Sequence, residues 1–481
     1  MRGVIDIISG KSSIPGGLAF FILVGAACVS YCVQAAGPEQ SAGTPEVKTA
    51  EIVVDGSSVT GPVNRRILGQ NILAYQQKKF YSMQGGGLWD PVKAAPLPEM
   101  ITLLKESGAK TLRWPGGCTA HDYNWKLTVG PLSQRPNLAF GLPEFLKCCE
   151  AAGTDPVLTL GDYWGRPDDF ADLVEYLNSP VGKNPNGGKD WAEVRAQDGH
   201  PEPYNVVCFE YGNESSHGSH NQCRDIWLEC GSKSNPDHKT GTRSAWYAYT
   251  PAQYSELYLL VQKAMKAVDP KIKLGAILDN EYQPGSWHDW TFEVVKKTGA
   301  HADFYINHIY MAAYDSNCRL PAAELFRLGF SGASQTELLL ENISRYIRKT
   351  TGRNLPLAIT EFNCGIDQEL PAPYRFSQGA AVMVAEMVLT MMTHSEFNID
   401  NAQYWQFCNE HWGMISNFDN LPVPQKRSAP IKRPVFLAYA LCNKYLGDSF
   451  VESRVECDTY ETRGGFGMAS LRAFTPNSPR S

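Results

Sequence analysis

The sequence predicts an α/β fold: a (β/α)8 TIM barrel with a small, incomplete β-sandwich built from both chain ends. Three observations carry this. Strand-like apolar runs alternate with amphipathic stretches eight times between about residues 64 and 447. Two of those runs end on a glutamate, in Phe209-Glu210-Tyr211-Gly212-Asn213-Glu214 and in Leu357-Ala358-Ile359-Thr360-Glu361-Phe362-Asn363. Strand-like segments also stand outside the alternation, one before it and two after it.

In chain order, Arg2 and Lys11 precede an apolar stretch at 18–33, and Val33-Gln34-Ala35 offers a small-residue cleavage site. Residues 1–36 therefore read as a signal peptide and 37–49 as a polar linker. This predicts a secreted or periplasmic protein whose mature form has no membrane partner. A lipid anchor on Cys28 or Cys32 is the alternative, but neither has a good lipobox before it. Residues 50–63 supply the N-terminal sandwich strand, 64–447 the barrel and 448–481 the C-terminal part of the sandwich. Too few strands follow residue 447 to complete a sandwich, so it is either unusually reduced or cut short.

Candidate barrel strands are 67–73, 111–114, 157–160, 206–211, 272–277, 304–310, 357–360 and 402–407. Among the helices, Thr250-Pro251-Ala252-Gln253 combines an N-cap, a proline at the first position and a glutamine that closes a capping box. Ser334-Gln335-Thr336-Glu337 reads as a second box, leading into Leu338, Leu339, Ile343 and Ile347. The loops at 178–204 and 212–249 are long for a compact domain, and such loops usually shape a site.

Composition bounds the partners. The chain has 481 residues, 43% hydrophobic and 20% charged, with a net charge of −6 and no basic block, which argues against nucleic acid. The 11 Trp and 22 Tyr mostly serve packing, and a few offer flat faces on which sugar C–H groups stack. Outside the leader lie 11 of the 13 Cys, with no CxxC pair and no Cys/His cluster at metal spacing, so neither metal nor cofactor is expected. Cys148, Cys149, Cys208, Cys408 and Cys442 sit in apolar patterns and read as buried thiols. Cys223 and Cys230 flank a loop where a disulfide is plausible in an exported protein.

The two glutamates carry the chemistry. Either alone is an ordinary strand-end or turn residue. Separated by three strands and both at C-terminal strand ends, they form the acid/base and nucleophile pair of a glycosidase. Glu214 is the candidate acid/base, with Asn213 donating to a sugar hydroxyl, and Glu361 is the candidate nucleophile. A regular strand points successive side chains to opposite faces, so aiming Asn213 and Glu214 together requires a strand end or a bulge. His308 and Tyr310 share a face at the end of the sixth strand, where Tyr310 can hold Glu361 and His308 can orient Glu214. Arg113, inside the barrel, needs a carboxylate partner, which predicts a pair that keeps Glu361 ionised. His121, Asp122, Tyr123, Trp125, Trp164, Trp405 and Trp412 are candidates for sugar subsites.

These motifs, in order, resemble glycoside hydrolase family 51, the α-L-arabinofuranosidase family of clan A. The matching stretches are Thr111-Leu112-Arg113-Trp114-Pro115-Gly116-Gly117, Val129-Gly130-Pro131 with Gln134-Arg135-Pro136, and 198–205. Tyr211-Gly212-Asn213-Glu214, His308-Ile309-Tyr310 and Thr360-Glu361-Phe362-Asn363 complete them. The resemblance implies a retaining hydrolase acting on plant cell-wall polysaccharide. It also exposes departures. The family's arabinofuranose-binding glutamate after the first strand is missing near Leu73, and the asparagine expected after Arg-Trp-Pro-Gly-Gly is Cys118. Asn71, His121 or Asp122 are the candidate replacements. A clan A endoglucanase or xylanase, or a non-catalytic glycan-binding barrel, stays open on these residues, as do exo or endo action and oligomeric state.

Overall fold

Eight short runs of buried residues pair in parallel and close on themselves: β1 Gly69–Asn71, β2 Thr111–Trp114, β3 Asp155–Leu160, β4 Cys208–Tyr211, β5 Lys273–Ile277, β6 Phe304–Met311, β7 Leu357–Cys364 and β8 Ile399–Tyr404. They follow one another around the barrel in sequence order, and β8 returns to β1. The structure, a computed structural model, describes residues 50–73, 87–217, 249–279, 289–311, 322–365, 374–416, 430–457, 460–462 and 471–473, apart from positions 91, 122, 136, 137, 139, 410 and 411. The expected signal peptide and linker, Asp122, Cys223, Cys230 and most of the loop at 212–249 lie outside the described residues.

The strands read as continuous apolar runs because both faces are covered: helices pack outside, and side chains fill the inside. Every residue of β2, β4, β6 and β7 is buried. The helices are α1 Pro98–Glu106, α2 Leu142–Ala152, α3 Pro167–Asn178, α4 Trp191–Gln197, α5 Pro251–Val268, α6 Asp289–Thr298, α7 Ala322–Phe330, α8 Gly332–Thr351, α9 Gln378–Thr393 and α10 Pro434–Tyr445. Proline stands in the first two positions of α1, α2, α3, α5 and α10, where its missing N–H leaves no bond unmade.

Thr250 caps α5 through a capping box with Gln253. The second expected box does not form. Helix α8 begins at Gly332, so Ser334 lies inside it, and the buried Gln335 donates to Ser331 Oγ instead at 2.6 Å. The buried stripe runs through Leu339, Leu340, Ile343 and Ile347, and Leu338 is exposed.

Strand limits also differ from the pattern reading. A 3-10 turn at Arg65–Leu68, capped by Asn64, shortens β1 at its start. The last strand runs from Ile399 to Tyr404 and not from 402 to 407. More consequential, β7 continues past Thr360 to Cys364, so Glu361 lies within the strand and not at its end.

Outside the barrel, Ala50–Pro62 pairs antiparallel with Ser449–Cys457, from Ala50 opposite Cys457 to Pro62 opposite Ser449. A second small ribbon joins Tyr460–Thr462 to Leu471–Ala473. Among the described residues these two ribbons are what stands in the place of the expected sandwich. Arg65 Nη2 donates to the Leu446 carbonyl at 2.5 Å, fastening the base of the first ribbon to the end of α10.

Candidate active site

The site begins with a parity problem. Ala358 pairs with Ile306 and Glu361 with His308, so three residues of β7 run against two of β6. Regular alternation would put Ala358 and Glu361 on opposite faces. One extra residue, accommodated as a β-bulge, keeps them on the same face. Thr360, within the bulge, has two partners: its carbonyl accepts from Asn71 Nδ2 at 2.8 Å, and its Oγ1 lies 3.1 Å from His308 Nε2.

Glu361 is buried and firmly held. Arg113 Nη1 donates to its Oε1 at 2.8 Å, and Tyr310 Oη donates to its Oε2 at 2.5 Å. Arg113 extends the network from β2. Its Nη1 also donates to Asn71 Oδ1 at 3.1 Å, its Nη2 to Asn213 Oδ1 at 2.7 Å, and its Nε to Glu210 Oε1. Glu210 is fully buried in β4 and accepts from Thr159 Oγ1 at that same oxygen. Pattern reading assigned Glu210 no role. The available signal was a carboxylate inside an apolar strand of a barrel that also buries an arginine.

Beyond β4 the chain turns through Gly212, whose φ of +85° favours glycine. A Cβ there would stand 2.2 Å from Ser215 Oγ and 2.6 Å from Asp162 Oδ2. The turn brings Asn213 onto Arg113 and Glu214 onto His308, whose Nδ1 is 3.0 Å from Glu214 Oε1 and 3.6 Å from Glu361 Oε2. Ser215 Oγ donates to Asp162 Oδ2 at 2.6 Å, and His121 Nδ1 is 2.8 Å from Asp162 Oδ1. Asp162 thus ties the loop after β3 to the turn that carries Glu214.

An oxygen of Glu214, an oxygen of Glu361 and a nitrogen of His308 all lie within 4.8 Å of one another. A gap this short suits carboxylates placed for direct attack on a sugar, about 5–5.5 Å between groups, better than the wider pairs of about 6.5–9.5 Å that seat a water opposite the sugar. The same three atoms are near enough to hold an ion, but both oxygens of Glu361 already accept hydrogen bonds that an ion would displace.

Burial pushes the Glu361 carboxyl up from the usual glutamate value. His308 and Arg113 pull it down, Glu214 adds to the rise and the Tyr310 hydrogen bond lowers it again. The expectation that Arg113 keeps Glu361 ionised thus meets an opposing effect: desolvation outweighs His308 and Arg113 together and leaves the carboxyl above its ordinary value. Cys118, half-buried after β2, has its thiol pushed well up by burial and then by Glu214 and Glu361, so it enters the site as a neutral group.

Other candidates fall elsewhere. Asn71 is fully buried, with its amide on backbone carbonyls and its oxygen on Arg113, so it braces the site from below. His121 is buried on Asp162, with its ring edge-on to Tyr163. Trp164 packs edge-on against Phe170 of α3, and Trp125 packs on Trp191; both are core. Trp405 joins Leu73, Tyr310 and Trp412 in an apolar cluster beside the carboxylates. Its ring lies where a Cβ on Gly117 would come within 2.5 Å. Trp412 is clasped from both sides: Tyr310 meets it edge-on at 5.6 Å, and the Arg375 guanidinium stacks over it at 3.6 Å.

Comparison with known proteins shows what the chain is similar to. Residues 103–227, which include Arg113, Asn213 and Glu214, match the model of the α-L-arabinofuranosidase 1 domain. An intracellular exo-α-(1→5)-L-arabinofuranosidase of Halalkalibacterium halodurans is 26% identical over 280 residues, covering 56% of this chain and 50% of that protein. The α-L-arabinofuranosidase C of Emericella nidulans is 32% identical over 228 residues, 43% of this chain and 38% of that protein. The chain thus spans about half the length of the curated relatives it matches. In fold it is similar to the α-L-arabinofuranosidase of Thermotoga maritima, with a TM-score of 0.66 at 22% identity over 90% of this chain and 81% of that one. Over part of its length the chain is therefore similar to α-L-arabinofuranosidases, and it shares the fold of solved members of that group.

Proposed function

We propose that the chain is a retaining glycoside hydrolase, α-L-arabinofuranosidase-like, acting on oligosaccharide or polysaccharide of the plant cell wall. The observation that carries this is the pair Glu214 and Glu361: one oxygen of each lies within 4.8 Å, the first on His308 and the second on Arg113 and Tyr310. In the first step a Glu361 oxygen bonds to the anomeric carbon. The glycosidic C–O bond breaks, and its electron pair leaves on the oxygen that Glu214 protonates. In the second, Glu214 takes a proton from water, the water oxygen bonds to the anomeric carbon, and the ester bond returns its electrons to Glu361. The Asn213 amide nitrogen has no hydrogen-bond partner among the described residues, which leaves it a donor for a sugar hydroxyl.

The test is turnover of aryl furanosides, aryl pyranosides and wall polysaccharides by the full chain and by Glu361→Ala. Azide should restore turnover to the variant as a glycosyl azide of inverted configuration. Single-step inversion by the wild type, followed by NMR, would overturn retention; binding without turnover would make the chain a glycan-binding barrel. The apolar wall of Leu73, Trp405 and Trp412, with Cys118 beside it, favours a second reading within this one: a clan A glycanase that gains its affinity from a longer chain. We further propose export with cleavage near Ala35 or Ala36, tested by N-terminal sequencing of mature protein; two of the bacterial relatives are named intracellular.

A further inference from the structure

Glu210 takes no part in the two steps above, yet it is fully buried against the residue that holds the nucleophile. Its hydrogen bonding is lopsided. Oε1 accepts from both Arg113 Nε and Thr159 Oγ1, and Oε2 has no partner among the described residues. A half-satisfied buried carboxylate is a poor stabilising device, because the unmatched oxygen bears its full desolvation penalty. The charge balance of the reaction supplies a reason for it. Arg113 is wholly buried and touches two carboxylates, Glu210 and Glu361. When Glu361 becomes a glycosyl ester its charge is gone, and Asn71 and Asn213 offer the guanidinium only neutral oxygens.

We propose that Glu210 is a positioning residue for the reaction: it is the standing counter-charge of Arg113, keeping the guanidinium paired and in place while Glu361 passes through the uncharged ester. The inference rests on the retaining reading above. In the free enzyme Glu210 shares the cation with Glu361 and so leaves the nucleophile more basic. The other groups facing Glu361 are Glu214 from beyond β4, His308 and Tyr310 from β6 and Cys118 from beyond β2. Among the described residues, Arg113 alone of the groups facing Glu361 bonds to Glu210.

The experiment compares kcat/KM against pH for the full-length wild type, Glu210→Gln and Glu210→Asp, on the best aryl glycoside of the wild type. Glu210→Gln should lower plateau kcat/KM about ten- to hundredfold, since breaking a buried ion pair from one side is costly, and move the acid limb to lower pH. Glu210→Asp should keep the wild-type limb. A folded Glu210→Gln whose limb stays in place overturns the proposal, as does a loss that is equal at every pH. Should Glu210→Gln not fold, infrared difference spectra of Glu214→Ala, trapped with a slow 2-fluoro glycoside, decide the matter. One carboxylate converting to one ester supports it; a second carboxylate converting to an acid overturns it. A wild type without turnover would sink the hydrolase reading itself, whereas turnover with an unmoved limb sinks only this inference.

Discussion

The two catalytic candidates are held in opposite ways. Glu361 sits inside a strand, about 5% of its side chain exposed, with Arg113 and Tyr310 each donating to it and β-sheet on either side. Glu214 sits past a strand end, on a turn that depends on glycine, with 13% of its side chain exposed and His308 at one oxygen. The difference matches the tasks. A nucleophile must lie at one fixed distance from the anomeric carbon, and a 1 Å misplacement can cost about 10²-fold. An acid/base must hand a proton to a departing oxygen and then take one from water, which suits a group nearer solvent.

Removing each carboxylate gives the largest test. Glu361→Ala should reduce turnover to background on every substrate. Glu214→Ala should lose about 10²–10⁴-fold on substrates with poor leaving groups and far less on activated aryl glycosides. Equal losses on both substrate types would erase the distinction. Next in size is the hydroxyl that steadies Glu361. Tyr310→Phe should cost roughly ten- to hundredfold in kcat/KM, the worth of about 1.5–3 kcal/mol for a hydrogen bond to a charged group. A change confined to KM would instead make Tyr310 a sugar contact.

The pH profile sharpens the contrast further. Burial raises the Glu361 carboxyl above its ordinary value near 4.5, and kcat/KM requires it ionised, so the acid limb should lie above that value. A limb at or below it would mean that Arg113 wins over desolvation after all. The sugar itself is a weaker lever. With Leu73 and the neutral thiol of Cys118 beside the carboxylates, simple aryl α-L-arabinofuranosides should be poor substrates beside longer chains. Efficient hydrolysis of the simple glycoside would point to plain arabinofuranosidase action.

The smallest effect comes from a glutamate outside the site. Glu386 of α9 makes no hydrogen bond or ion pair among the described residues, and burial pushes its carboxyl up to about 7. A raised carboxyl binds its proton more tightly when folded, so its contribution to stability is full below about 4.5 and is lost as pH rises through about 7. Glu386→Gln should therefore stabilise the fold at pH 8 by about 1–3 kcal/mol and change little at pH 4. Equal denaturation midpoints at pH 8 would show that solvent reaches the carboxylate.

The barrel was legible because each strand is a short apolar run followed by an amphipathic helix. Arg113, His308 and Tyr310 were legible because charge or period two marked them. What stayed hidden was pairing across the barrel. Nothing local ties Glu210 to Arg113, which are neighbours only once β2, β3 and β4 lie side by side. His121 and Trp164 looked like sugar contacts because burial against Asp162 and Phe170 is a tertiary fact. The bulge was equally invisible, since Ile359-Thr360-Glu361 reads as ordinary strand.

That bulge has a consequence for how the gene tolerates change in length. A strand with Thr360 deleted would still set Glu361 opposite His308, because the regular count of two would replace three. The candidate nucleophile would keep its address. What would vanish is the hydroxyl beside His308 Nε2 and the carbonyl that receives Asn71. Deleting one codon here should therefore leave the Glu361 carboxylate in place and loosen His308, the partner of Glu214, so that the lesion falls on the candidate acid/base and spares the candidate nucleophile. Against β6 the register has its one shift between Ala358 and Glu361, so a one-codon insertion between Leu357 and Glu361 would add to that shift and swing Glu361 toward the helices. At the extra residue a deletion and an insertion therefore have unlike costs.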